Sequence, residues 1–245
     1  MSQKIEKQPL RFRWSHEHPL HRFLVRLFNA LMRLVPFPIK YGLGKRMRAG
    51  SYPYKLVKPG NVVVQIGAPQ DTLLSGRSRA MHFALLVGPT GRVLIVEPDK
   101  NSVQTFRRIA QQQNINHVDF FPVAAWSEKK QLTIYIDDAH PASNFTAGSK
   151  VYDEARMQTY RAVQLPADSL DALLAGKGVQ RVDLVSVTTN GAERDILQGM
   201  KQLMAAGLPY ICLAVTGDNY VEMMAEFGYE LFSYDDRGFT FSQVC

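Results

Sequence analysis

Cysteine is nearly absent from this chain: Cys212 lies in an apolar run and Cys245 is the last residue. That argues against a disulfide framework and makes a reducing, cytoplasmic compartment the expectation. Acidic residues are scarce in one region only. Residues 1–60 hold 13 Lys/Arg against Glu6 and Glu17, a balance of +11, whereas residues 61–245 hold 16 Lys/Arg against 20 Asp/Glu, a balance of −4. Long apolar runs are missing, since no stretch of about 18 residues is free of charge, and this speaks against a spanning helix. Nor does the start read as a secretory signal. Its first apolar stretch begins near Leu20, is broken by Arg22, Arg26 and Arg33, and lacks a small-residue cleavage site. Zinc-ligand spacing, a P-loop and a nucleophile elbow are not found, so no metal is expected.

What is present suits one α/β domain over residues 59–245, preceded by a basic amphipathic extension over residues 1–58. The content of 46% hydrophobic and 21% charged residues is ordinary for a globular protein. Between His18 and Val35 the apolar residues Leu20, Phe23, Leu24, Leu27, Phe28, Leu31 and Leu34 recur every three or four positions. This spacing predicts a helix with one wide apolar face, stopped by Pro36 and Pro38. A second basic cluster follows at Lys40, Lys45, Arg46 and Arg48. The excess of positive charge makes an anionic membrane surface the expected partner of residues 18–48, and hence a peripheral membrane location. Packing of an extra helix on the domain is the alternative. Nucleic acid ranks lower, because no binding motif is present and the folded body is acidic.

From Asn61 strands and helices alternate. Strands are expected at Val62–Ile66, Arg92–Val96, His117–Pro122, Gln131–Ile136, Val182–Val187 and Tyr210–Val215. Helices are expected at Arg79–Leu86, Lys100–Gln113, Gly191–Met204 and Tyr220–Phe227, with another starting near Asp168 as its N-cap. Asp138–Lys150 reads as a loop. The end is a hairpin, Tyr229–Tyr234 and Phe239–Gln243 around Asp235-Asp236-Arg237-Gly238. The pattern implies a mostly parallel sheet carrying one antiparallel strand.

In such sheets ligands bind outside the carboxyl ends of the strands. Gly67 and Ala68 follow the first strand, where small residues let the backbone approach a ligand closely or simply make a tight turn. Glu97 follows the second strand; its carboxylate suits a ribose diol, or else decorates the helix start after Pro98. Trp126 either stacks on a purine or fills a core edge. Glu193 begins a helix, where the dipole alone favours a carboxylate. His140 and Asp138 fall in the loop before Ser143-Asn144, where they either reach a substrate or are simply solvated. Asp218 follows the strand expected at Tyr210–Val215, with the same two readings. Arg77 and Arg79 have the chemistry to clamp a carboxylate or phosphate, or else only keep a surface soluble.

The order of these pieces resembles the FkbM-type methyltransferases, a branch of the class I S-adenosylmethionine-dependent fold. The matching stretches are Val62–Ala68, Gly88–Val93 leading to Val96-Glu97-Pro98, Asn114–Trp126, Leu165–Leu174, Val182–Gly199 around Asn190-Gly191-Ala192-Glu193, and Pro209–Val215. The resemblance implies a Rossmann-like, mostly parallel seven-stranded sheet ending in an antiparallel hairpin, and S-adenosyl-L-methionine as cofactor. By position, Gly67 and Ala68 would pass beneath the methionine part, with Asp71 in the same loop. Glu97 would hold the ribose, and Ala125 and Trp126 would lie beside the adenine. Glu193, Asn190 and His140 are the candidates for work on the acceptor.

The chain departs from the family after the strand expected at Val182–Val187. Ser186, Thr188 and Asn190 stand where Lys, Asp and Glu are usual, leaving Gly191 and Glu193, and Ala214 replaces a glutamate usual at the end of the strand expected at Tyr210–Val215. Asp71 replaces the second loop glycine, and extra residues follow around Ser75–Arg79. The expectation is an O-methyltransferase acting on a hydroxyl of a sugar, glycan or related polar metabolite. The alternative is a catalytically degenerate binding or scaffold protein on the same fold, and a nicotinamide-dependent oxidoreductase ranks below both.

Overall fold

Short β-branched runs buried on both faces form the centre of the molecule. The computed structural model describes residues 19–137, 144–147, 157–207, 209–215 and 218–243. The central strands are β1 (Val62–Ile66), β2 (Arg92–Val96), β3 (Val118–Phe121), β8 (Leu184–Val187) and β9 (Tyr210–Leu213), all parallel to one another. The hairpin strands β10 (Tyr229–Tyr234) and β11 (Phe239–Gln243) complete a seven-stranded sheet of order β3-β2-β1-β8-β9-β11-β10. β11 runs antiparallel to both its neighbours. The strand order reverses between β1 and β8, and the crevice at that switch point is where this architecture places a ligand. This is the class I methyltransferase arrangement.

Alternation along each strand divides the core in two. On one face Val63, Val93, Ile95 and Leu184 pack under α2 (Phe37–Arg48), α3 (Gln70–Leu74), α4 (Arg79–Val87) and α5 (Lys100–Gln112). On the other, Val64, Leu94, Val185 and Ile211 pack under α6 (Leu170–Ala175), α7 (Glu193–Gln198), α8 (Lys201–Gly207) and α9 (Asp218–Ala225). Local caps fix the starts. Asp99 accepts from the amides of Asn101 and Ser102 at α5, and Ser78 accepts from Met81 at α4. The N-cap expected at Asp168 is instead Ser169, whose hydroxyl accepts from the Ala172 amide.

A second, four-stranded sheet lies between β3 and β8 in sequence. Its order is β4 (Ala124–Trp126), β7 (Arg161–Ser169), β5 (Lys130–Ile136), β6 (Phe145–Thr146). Of these strands, the sequence reading identified only β5. β6 falls in the stretch read as a loop, and Asp138 and His140 of that stretch lie outside the described residues. Val163, Leu165 and Ala167 of β7 face the cluster made by Leu132, Ile134 and Ile136, while Ala162, Gln164 and Pro166 are exposed.

Two further differences have clear causes. The proline pair Pro36 and Pro38 ends α1 (Pro19–Leu34) but also opens α2, with Pro38 in the first turn where no amide is missed. α2 packs on the body: Tyr41 is buried and its hydroxyl donates to the Leu73 carbonyl at 2.7 Å. The helix expected over Gly191–Met204 is broken at Gly199. A Cβ there would run into the Trp126 carbonyl oxygen, and Asp171 restarts the chain by accepting from the amides of Gln202 and Leu203, 2.9 Å each. Gly199→Ala is therefore expected to cost roughly 1–3 kcal/mol, read as a lower urea midpoint, because backbone and not a flexible side chain must move. An unchanged midpoint would remove this packing argument.

Candidate functional site

The crevice opens where the carboxyl ends of β1, β2 and β8 meet the second sheet. Its floor is Ile66, Gly67, Val96 and Glu97, one wall is Thr188, Thr189, Asn190 and Ala192, and Ala124 and Ala125 of β4 close the end. Ile134, Ile136, Phe145 and Leu165 form an apolar roof. The enclosed space is about 90 Å³.

Glu97 is the charged centre of this crevice. It is 6% exposed, and its two carboxylate oxygens accept from the Ala68 amide at 2.7 Å and the Asp99 amide at 2.9 Å. Burial pushes its pKa up to about 7, against the lowering effect of those two amides. Glu97 thus ties the turn after β1 to the turn after β2, and it titrates near neutrality. A carboxylate has about four acceptor positions, so two remain for a ligand.

Gly67 is required on two grounds. Its φ is +82°, and a Cβ would meet the Thr188 carbonyl oxygen at 2.5 Å. The close neighbour is β8's own end. Thr188 donates its hydroxyl to the Gly67 carbonyl at 2.8 Å, and Gln65 of β1 donates to the Thr188 hydroxyl at 2.9 Å. These neutral bonds clamp the two strand ends at the switch point.

Asn190 lines the crevice and donates from its side-chain amide to the Asn144 carbonyl at 2.8 Å, while the Asn144 side chain accepts from the Asp137 amide at 2.9 Å. The residue thereby ties the roof to β8. Glu193 is buried beside it, and its Oε1 accepts from the Thr189 hydroxyl at 2.9 Å and from the Gly191 amide at 3.2 Å. This carboxylate closes the turn that presents Asn190. It does not line the crevice.

Of the residues singled out from sequence, Gly67, Glu97, Ala125 and Asn190 are brought together in the crevice. Ala68 is buried next to it and supplies an amide to Glu97. Asp71 is placed on α3, buried and facing Arg77, off the crevice wall. Trp126 is also off the wall, partly buried with Lys130 at 5.2 Å above its ring. The apolar roof was not found by sequence reasoning. The alternation Leu132-Ile134-Ile136 was visible, but nothing local says what its buried face covers.

Arg79 clamps carboxylates, as its chemistry suggested, but they belong to the chain itself. It donates to Asp235 at 2.6 Å and to Asp236 through both Nε and Nη2, and it lies over Ser186 at 3.4 Å. Tyr54 completes the cluster, donating to Asp236 at 2.8 Å. Burial alone would lower the Arg79 pKa, and the two aspartates more than reverse that.

The profile of the methyltransferase FkbM domain matches residues 65–239. No curated protein matches the chain. Among solved structures it is similar to methyltransferase FkbM from Methylobacillus flagellatus, at 13% identity and a TM-score of 0.48 over 91% of this chain and 59% of that one. The chain thus spans less than two thirds of that relative. It is also similar to a methyltransferase from Geobacter sulfurreducens, with 14% identity and a TM-score of 0.45 over 90% and 96% of the two chains. A third is the Aeropyrum pernix fibrillarin with natively bound S-adenosyl-L-methionine, with 12% identity and a TM-score of 0.40 over 89% and 72%. With its profile match spanning most of the chain and its strands in the class I order, the chain belongs to the methyltransferase FkbM domain family.

Proposed function

We propose that the chain is an S-adenosylmethionine-dependent O-methyltransferase whose acceptor is an uncharged, hydroxyl-bearing molecule such as a sugar. The observation that carries this is the crevice wall. Among the described residues its ionisable groups are Glu97 and Asp99, and Thr188, Thr189, Asn190, Asn144 and Thr146 make the rest of its polar surface. Among the described residues no Lys or Arg lines it, so an anionic acceptor would be desolvated against them without a partner.

The residues fit the cofactor. Glu97 keeps free acceptor positions for a ribose diol, Gly67 and Pro69 leave room along the β1 turn, and Ala124, Ala125 and Val96 offer apolar contact to a base. The enclosed volume is short of the roughly 300–1,000 Å³ of sites that surround a whole ligand, so part of the cofactor lies in the open mouth. When bound, it supplies an electrophilic methyl on a sulfonium. Transfer would form a C–O bond to the acceptor oxygen as the S–CH₃ bond breaks, and would leave S-adenosylhomocysteine and one proton. The chain's own work is alignment, which alone can supply much of the rate. Thr188 holds the β1 and β8 ends in register, and Asn190 fixes the roof above them. The proton would go to solvent at the mouth, because among the described residues the end of β8 carries the neutral Thr188, Thr189 and Asn190 where a carboxylate base would act.

Transfer of a labelled methyl group from the cofactor to a panel of neutral glycosides, matched with anionic analogues, tests this. Methyl ethers on the neutral members alone are expected. Cofactor binding with no transfer to any hydroxyl would favour the scaffold reading.

A further inference from the structure

Among the described residues, the large apolar side chains left exposed all belong to α1 and α2. Phe23, Phe28 and Leu31 on α1 are 47–60% exposed, and Ile39, Leu43 and Met47 on α2 are 58–74% exposed. Ile39, Leu43 and Met47 are spaced four apart and make one stripe. That stripe is opposite the face of α2 that is seated on the body, where Tyr41 is buried and a Cβ on Gly44 would meet the His82 ring at 2.7 Å. The two helices are held to each other and to α3: the Lys40 ammonium donates to the Met32 carbonyl at 3.3 Å and the Leu74 carbonyl at 2.7 Å. The stripe is therefore a fixed part of the molecule and not a loose tail.

The charge around it has one sign. No Asp or Glu occurs between Glu17 and Asp71, and Arg33, Lys45 and Arg46 are exposed on these helices. A second copy of the chain would bring the same positive flank against itself. A polyanion without an apolar layer would leave Phe23, Phe28 and Leu31 in water. No helix among the described residues is long and apolar enough to cross a membrane.

We propose that α1 and the outer stripe of α2 dock on the surface of an anionic phospholipid membrane, with the apolar side chains among the headgroups and the basic residues on the phosphates. α1 rests on α3, whose preceding residue Pro69 lines the crevice. Docking thus holds the crevice at a fixed distance from the lipid, where an acceptor carried by a membrane would be met.

Flotation of the full chain with vesicles tests the proposal. Binding to phosphatidylcholine vesicles containing about one third phosphatidylglycerol is expected to exceed binding to pure phosphatidylcholine at least about tenfold and to weaken in high salt. Arg33→Glu with Arg46→Glu is expected to lose about fivefold per basic residue removed. Phe28→Ser with Leu31→Ser is expected to abolish flotation while leaving the thermal midpoint unchanged, and Ile39→Ser with Leu43→Ser provides an independent pair. Equal binding to both vesicle types, no binding to either, or wild-type flotation by both serine pairs would overturn the proposal. So would a dimer that either serine pair converts to a monomer.

Discussion

Replacing Arg79 by alanine is expected to lower stability by about 3–5 kcal/mol, the cost of leaving a buried carboxylate without its partner. For a chain of this size that is roughly 6–20 °C in thermal midpoint. The Arg79 and Asp235 side chains are 1% and 0% exposed, and Asp236 is 21% exposed. Asp235 also accepts from the amides of Arg237 and Gly238 at 2.7 Å each, so the hairpin turn is folded around the carboxylate that Arg79 neutralises. The sign of the pH dependence follows. Burial alone would raise the Asp236 pKa, but Arg79 and Arg237 hold it below the ordinary value. Its contribution to stability is therefore present above the unfolded pKa and is lost as pH falls through the folded one. In Arg79→Ala the burial term is left unopposed by Arg79, and the deficit relative to wild type is expected to shrink as pH is lowered toward 4. Adding Asp236→Asn is expected to recover part of the loss at pH 7. Urea unfolding at both pH values measures this, and a loss below about 1 kcal/mol would show that the cluster contributes little.

Glu97→Ala is expected to weaken cofactor binding by about 10- to 150-fold, equivalent to about 1.5–3 kcal/mol for hydrogen bonds to a charged group. The same change has a different signature in the free protein. Because burial raises the Glu97 pKa to about 7, above its unfolded value of 4.5, folding binds a proton between those pH values. That contribution to stability is complete below the unfolded pKa and is lost as pH rises through 7. Glu97→Gln, which cannot titrate, is expected to give a flatter stability profile from about pH 5 to 8 while remaining weak in binding. Binding by calorimetry and stability by thermal melts separate the two effects, and wild-type affinity in both variants would exclude Glu97 from the cofactor site.

Much of this was legible in the sequence, for reasons particular residues make plain. β1, β2 and the terminal hairpin follow local pattern: Val62–Ile66 and Arg92–Val96 are short and apolar, and Asp235 to Gly238 is strong turn chemistry. Gly67 and Glu97 could be placed because strand ends on a parallel sheet converge whatever the intervening chain does, whereas Ala125 and Asn190 follow from the family resemblance. What escaped depends on contacts between distant segments. β7 is half exposed and contains Pro166, and it becomes a strand through pairing with β5. The break at Gly199 is imposed by Trp126, more than 70 positions earlier. Glu193 reads as a helix-start carboxylate or as a group working on the acceptor until its bonds to Thr189 and Gly191 are seen. Arg79 looks like a ligand clamp until the hairpin carboxylates arrive from the other end of the chain.

Titration of S-adenosylhomocysteine into the full chain at pH 6.5, in two buffers of different ionisation heat, addresses the crevice most directly. A ribose diol donating to Glu97 favours its charged form. With a free-state pKa of about 7, binding should release roughly three-quarters of a proton more in wild type than in Glu97→Gln. Heats that give no binding, or binding with the same proton count in both proteins, would contradict the assignment of this crevice to the cofactor.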